Sequence, residues 1–179
     1  WFGQMTTPRE LHIKDNHLIQ NPGREIENYW GNETVYRDVP VSEKVTLDGI
    51  SGRMIDMTVN VRADSEDAYG LFEIHVASDD ELYTSIRYKR KDHFVTVDRR
   101  YSGIRNAVIS KRSMKVKDLG GDIKLRIILD RYSVEVFIND GEQALSTVIY
   151  TDLSADTISF MADGKAIVDI DKHDLVMNQ

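Results

Sequence analysis

From Arg53 onward the chain alternates apolar and polar residues with a period of two, and this pattern constrains the fold more than anything else in the sequence. Ile55, Met57, Val59 and Val61 alternate with Asp56, Thr58, Asn60 and Arg62. A strand sends successive side chains to opposite faces, so such a run reads as a β-strand with one face buried and the other wet. The pattern recurs at Phe72-Ile74-Val76, Leu82 to Tyr88, Phe94 to Val97, Ile123-Leu125-Ile127-Leu129, Val134-Val136-Ile138, Leu145-Thr147-Ile149, Ile158-Phe160 and Ala166-Val168-Ile170. Turn signals fall between the runs at Asp79-Asp80, Lys91-Asp92, Gly120-Gly121, Asp140-Gly141 and Asp163-Gly164. All three prolines, Pro8, Pro22 and Pro40, lie in the first 40 residues. Paired strand interiors exclude proline, which reserves the remainder of the chain for sheet. About a dozen short strands exceed what one open sheet holds comfortably, and no stretch carries a helical period. The chain is therefore expected to be all-β, a two-layer antiparallel β-sandwich of the jelly-roll or concanavalin-like kind.

Two domains of the chain are distinguished on this basis. Residues 1–40 form a lead-in packed on the sandwich, with a hairpin from Leu11-His12-Ile13 through Lys14-Asp15-Asn16 to His17-Leu18-Ile19-Gln20, and residues 41–179 form the sandwich itself. Phe137 interrupts the polar side of its strand beside Ser133, Glu135 and Asn139. A large aromatic in that position calls for a cover, supplied by the lead-in or by another domain.

A formal charge of −7 argues against a nucleic-acid partner, since phosphate binding needs a concentrated basic surface. The basic run Arg87-Tyr88-Lys89-Arg90-Lys91 alternates with Ile86 and Tyr88 and reads as the solvated side of a strand rather than as a phosphate site. The absence of cysteine excludes disulfides, zinc-thiolate sites and cysteine nucleophiles. It is compatible with the cytoplasm and with bacterial secretion, the cytoplasm being favoured. No window reaches the apolar length of a membrane span, so no membrane partner is expected. The five histidines, His12, His17, His75, His93 and His173, have no metal-ligand spacing, so neither metal nor cofactor is expected. The pattern of His75 between Ile74 and Val76 marks it as a surface residue. No Ser/His/Asp arrangement is evident.

Two segments at opposite ends carry a family resemblance. Leu129-Asp130-Arg131-Tyr132-Ser133-Val134-Glu135-Val136-Phe137 is similar to the Val-Asp-Arg-Ser-Ser-Val-Glu-Val-Phe segment of glycoside hydrolase family 32, the invertases, levanases and sucrose-6-phosphate hydrolases. Trp1-Phe2-Gly3-Gln4-Met5-Thr6-Thr7-Pro8-Arg9-Glu10-Leu11 resembles the Gly-x-Met-Thr-Leu-Pro-Arg-Glu-Leu junction of the same family, and Val97-Asp98-Arg99 with Ser102-Gly103 adds a third match. Departures are Thr7 for Leu, Gly23 for Val and Tyr132 for Ser. The resemblance implies the C-terminal sandwich of a β-fructofuranosidase, following a missing N-terminal β-propeller catalytic domain, and the start at Trp1 within a motif reads as a fragment boundary. It also implies that the parent enzyme hydrolyses β-fructosides such as sucrose, sucrose phosphate, inulin or levan with two carboxylates. The nucleophile of the family stands in a Trp-Met-Asn-Asp-Pro-Asn-Gly motif and its acid/base in a Glu-Cys motif, and neither occurs here. Arg37-Asp38-Val39-Pro40 only approaches the family's Arg-Asp-Pro. This chain alone is thus expected to be inactive, with no catalytic residues, as an accessory domain that stabilises the propeller.

The alternative is a fructan- or carbohydrate-binding module. Sugars present paired hydroxyls and a C–H face, which acids, arginines and aromatic rings recognise. Asp98, Arg99 and Tyr101 supply that inventory on one turn, and Asp130, Arg131 and Glu135 on another. The same Asp-Arg pairs can equally be ion pairs that fix turns and register. Trp1, Phe2, Met5 and Leu11, with Tyr29 and Trp30, form the apolar set best placed to meet another domain, and a bared patch of this kind predicts weak homo-oligomerisation.

Overall fold

The computed structural model describes residues 4–63, 68–103 and 110–177. Thirteen strands occur among them. Arg9–Lys14 (β1) and His17–Pro22 (β2) make the expected hairpin, its two-residue turn formed by Asp15 and Asn16 at φ 49° and 59°. Two adjacent left-handed residues match the twist of the flanking strands, and Asp and Asn tolerate that conformation best after glycine. A short 3₁₀ helix, Arg24–Tyr29, then leads into Trp30–Val41 (β3).

The remaining strands are Ile55–Arg62 (β4), Leu71–Ser78 (β5), Thr84–Lys89 (β6), Phe94–Asp98 (β7), Lys111–Lys115 (β8), Ile123–Asp130 (β9), Ser133–Ile138 (β10), Gln143–Val148 (β11), Thr157–Ala162 (β12) and Ala166–Leu175 (β13). They build a six-stranded sheet of order β11-β10-β9-β4-β13-β3 and a five-stranded sheet of order β12-β5-β6-β7-β8. Every paired strand is antiparallel. The two sheets face each other across one apolar core. Met57, Val59, Leu125, Ile127, Val136 and Val168 come from one side and Phe72, Ile74, Ile86, Tyr88, Val97 and Phe160 from the other. The two-layer antiparallel sandwich expected from the period-2 runs is the observed fold.

Residues 30–41 pair with β13 as the edge strand β3. Pro40 is tolerated there because an edge strand has one row of N–H groups facing away from the ladder. The strand also bulges, with Asp38 at φ 53° and its N–H donating to Asp169 Oδ1 at 2.8 Å. What remains outside the two sheets is the β1–β2 hairpin and the 3₁₀ turn.

Candidate functional site

The hairpin is fastened across the outer face of the six-stranded sheet by one carboxylate. Glu135 points outward from β10, opposite the core residues Val134 and Val136, yet it is only 4% exposed. Its Oε1 accepts from the backbone N–H of Thr7 at 2.6 Å and from Thr7 Oγ1 at 2.5 Å. Its Oε2 accepts from Arg9 Nη2 at 2.8 Å and from Ser146 Oγ at 3.0 Å. Burial alone would raise this carboxyl, but the donors from Thr7, Arg9 and Ser146 outweigh it and hold Glu135 below the usual carboxylate range. The Arg9 guanidinium also lies over the ring of Phe137, 5.2 Å from its centroid. Phe137 is 2% exposed, so the aromatic on the polar side of β10 is covered by the lead-in, as its position required. At the far end of the hairpin, Gln20 N–H donates to the carbonyl of Gly141 at 2.8 Å. A cleft of about 260 Å³ remains between Gln4–Thr6 and the β10–β11 pair, with Ser133, Glu135 and Ser146 in its wall.

Asp130 and Arg131 are exposed in the β9–β10 turn. Asp130 Oδ1 accepts from the backbone N–H of Arg131 at 2.7 Å, a local turn lock. The carbonyl of Arg131 is gripped by Arg53, which is 8% exposed and also donates to Asp152 O at 2.6 Å, Thr151 Oγ1 at 3.1 Å and Ala155 O at 3.2 Å. Burial lowers the Arg53 pKa from its ordinary value, and the oxygens around it replace the water it has lost.

The second group lies on the other sheet. Asp98 ends β7 with its side chain 1% exposed, and three cations share it: Arg100 at 2.9 Å, Lys111 at 3.6 Å and Arg87 at 3.7 Å. Burial would raise its carboxyl, but Arg100 and then Lys111 hold it below the usual range. Arg99 turns the other way, its guanidinium 5.4 Å from the ring centre of Tyr150. Tyr101 joins an aromatic column, stacked on Tyr83 at 5.2 Å, with Tyr83 stacked on His75 at 4.0 Å. His75 does occupy the outer face, as alternation implied, but the Tyr83 ring buries it, and its Nε2 lies 2.8 Å from Glu73 Oε1. Arg87 donates to the same Glu73 oxygen at 3.0 Å.

The structure thus sets the two trios on opposite sheets, so they do not form one site. Within the first, Asp98 and Tyr101 are joined by Arg100, which pairs with one and lies over the other at 5.8 Å. Arg100 lies in the turn just after β7, where its backbone N–H donates to Asp98 Oδ1 at 3.1 Å and brings its guanidinium back onto the same carboxylate. Within the second, Asp130 and Glu135 share the outer face of the six-stranded sheet, in neighbouring cross-strand rows opposite Ser133 and Ile128. The partners of Arg53 are distant in sequence, and those of Glu73 and Tyr83 lie on adjoining strands and turns, so no short motif marks any of the three. Among the described residues no group of three or more His, Asp or Glu is placed to hold a metal ion, and no helix is long and apolar enough to cross a membrane.

Fold and site together define an all-β sandwich whose singled-out carboxylates are engaged in binding the chain to itself. The family described as glycosyl hydrolases family 32 C terminal matches residues 25–175, and the chain belongs to it. A levanase of Bacillus subtilis is 30% identical over 173 residues, covering 90% of this chain and 25% of the relative. The raffinose invertase of Escherichia coli is 32% identical over 176 residues, covering 94% and 34%. Among solved structures, the sucrose-6-phosphate hydrolase of Lactobacillus gasseri superposes with a TM-score of 0.76 at 25% identity, over 94% of this chain and 33% of that one. Fructan 1-exohydrolase IIa of Cichorium intybus reaches 0.79 at 16% identity, over 97% and 41%, a likeness of fold. The chain therefore spans about a fifth to a third of the length of the curated relatives it matches.

Proposed function

We propose that this chain is the non-catalytic C-terminal accessory domain of a β-fructoside hydrolase, and that it stabilises an N-terminal catalytic propeller by lying against it with its lead-in side. The observation that carries this reading is the pinned hairpin. Glu135 and Arg9 fix it to the sandwich, while Met5, Leu11, Ile13 and Leu18 are left 94%, 61%, 70% and 45% exposed. Tyr29 and Trp30, after the hairpin, are 47% and 37% exposed. Side chains of this kind lose water favourably against a partner, at about 25 cal/mol per Å² buried. Trp1 and Phe2, the other members of the expected patch, lie outside the described residues. The relatives, named levanase, sucrose-6-phosphate hydrolase and raffinose invertase, support a parent that acts on fructosides such as sucrose, its phosphate, inulin or levan.

The test is to mix the purified chain with a separately produced propeller from the same enzyme. The chain alone is expected to release no fructose from sucrose, sucrose phosphate, inulin or levan, and to raise the propeller's melting temperature when added. Leu11→Glu with Ile13→Glu is expected to abolish that rise and to remove weak self-association of the free chain in light scattering. Turnover by the chain alone would overturn the proposal, as would a propeller indifferent to it.

A second reading, a fructan-binding module, is supported by the 39% exposure of the Tyr101 ring beside Arg100 and by the cleft at Glu135. Calorimetric titration with fructose, inulin and levan decides it: heat that saturates at millimolar ligand supports the module, and none removes it.

A further inference from the structure

The net charge of −7 conceals a segregation. Residues 84–117 hold 11 of the 23 Lys and Arg and only 2 of the 30 Asp and Glu, a segment charge of +9, so the rest of the chain carries −16. The segment's described residues make up the β6–β7–β8 half of the five-stranded sheet with the adjoining turns, and alternation turns much of the strands' charge outward. Lys89 on β6, Phe94 on β7 and Lys115 on β8 form one cross-strand row. Lys111 on β8 lies opposite Asp98, with Arg100 just beyond the end of β7.

Internal carboxylates neutralise this face only in part. Arg87 is taken up by Glu73 at 3.0 Å, and Arg100 and Lys111 still share the one buried Asp98, which leaves an excess of positive charge there. Lys89 reaches Asp92 only at 4.0 Å with both side chains more than 60% exposed, a pair worth little. Lys115 has no carboxylate partner among the described residues. Lysines on an edge strand discourage edge-to-edge pairing. That explains Lys111 and Lys115 on β8, but not Arg87 and Lys89 on β6, which is paired on both sides.

The face also presents aromatic surface. Phe94 is 38% exposed with a cation across each strand boundary, about 5 Å away at sheet spacing. Tyr101, 39% exposed, stands near the other end of β7, the strand itself running about 13 Å from Phe94 to Asp98. A ring of this kind accepts the C–H face of a sugar while the flanking ammonium and guanidinium groups take an acid group on the same or the next unit. A neutral fructan leaves those cations unmatched, and a lone phosphate leaves the rings and most of the stripe unused.

We propose that the outer face of β6–β7–β8 binds an acidic polysaccharide, a polymer of carboxylate- or sulfate-bearing sugars. This binding is independent of any catalytic domain and concerns a surface other than the lead-in strip. The polymer lies across the three strands, its rings on Phe94 and Tyr101 and its acid groups on Lys89, Arg100, Lys111 and Lys115.

The intact chain is titrated by affinity electrophoresis and calorimetry with polygalacturonate, with dextran sulfate and, as neutral polymers, with dextran and levan. Binding is expected to the two acidic polymers and not to the neutral ones, weakening on the order of tenfold from low to physiological ionic strength. Lys89→Glu with Lys115→Glu, the two cations flanking Phe94, is expected to weaken it by a further factor of about ten, and Phe94→Ala severalfold, at unchanged melting temperature. Lys124→Glu, on the opposite sheet, is expected to leave it unaltered. Polygalacturonate held no more tightly than dextran overturns the proposal. Equal binding of single-stranded DNA or polyphosphate, with Phe94→Ala silent, also overturns it, because the face is then a plain ion exchanger. None of these outcomes touches the propeller-docking reading, which is scored by fructose release and propeller melting.

Discussion

Arg53 is a cation deprived of water and given oxygens in return. The carbonyls of Arg131, Asp152 and Ala155 and the hydroxyl of Thr151 converge on it. Removing the guanidinium strands the carbonyls of Arg131 and Ala155, while Asp152 O keeps only the N–H of Ala155 at 3.0 Å. Arg53→Met is expected to cost about 3 kcal/mol, read as a lower midpoint in urea. An unchanged midpoint would mean that water already satisfies the loop. Nothing local in the sequence marks Arg53, since its partners stand 78 to 102 residues further along the chain. Alternation tells which way a strand residue points, as it does for Phe137 and His75. It is silent about which lone charge in a connection folds inward.

At the level of elements, the β1–β2 hairpin was legible because its signal is local: alternation on both arms and Asp15-Asn16 where positive φ is needed. β3 was not legible, because a proline within a run argues against a central strand and gives no warning that the run is an edge. The docking of the hairpin was half legible, through Phe137, whose odd placement demanded a cover, while the pin at Glu135 required knowing what faced it. Gly141 tests that docking. It sits at φ 90°, and a Cβ there would stand 2.5 Å from Gln20 O and 2.7 Å from Asn21 Oδ1. Gly141→Val is therefore expected to push the hairpin off, at a cost on the order of 1–3 kcal/mol. Amide exchange should quicken over residues 9–22 while β4 and β9 stay protected. Unaltered exchange in the hairpin would show that Glu135 alone suffices to hold it.

For the molecule as a whole, three buried carboxylates set the acid limit. Glu73, Asp98 and Glu135 are all held below their ordinary range despite burial, by Arg and hydroxyl donors or by neighbouring cations. An acid whose folded pKa is depressed adds stability above its unfolded pKa and loses it as pH falls through the folded value. The urea midpoint is thus expected to be level from neutral pH down to about pH 5. It should then drop as pH passes below about 4.5 toward the folded values. A midpoint that is flat through this range would show these carboxylates to be energetically idle. The family and the sandwich were readable because they rest on short motifs and a period of two. The polar hubs were not: Glu135 gathers Thr7 and Arg9 from more than 120 residues away, and at Glu73 and Asp98 the pairing depends on which side chains of neighbouring strands share a face.

Trp30 opens β3 at the point where the lead-in meets the sheet, parallel to His173 at 3.9 Å, with Nε1 donating to Asp56 Oδ2 at 3.0 Å. It is 37% exposed and is the one indole among the described residues. Its emission is therefore sensitive to whatever displaces water from that junction. A partner that covers it shifts the fluorescence to shorter wavelength, and a lead-in that tears loose breaks the stack and shifts it to longer wavelength. The protein thus carries an unlabelled optical gauge at the very seam where docking is proposed.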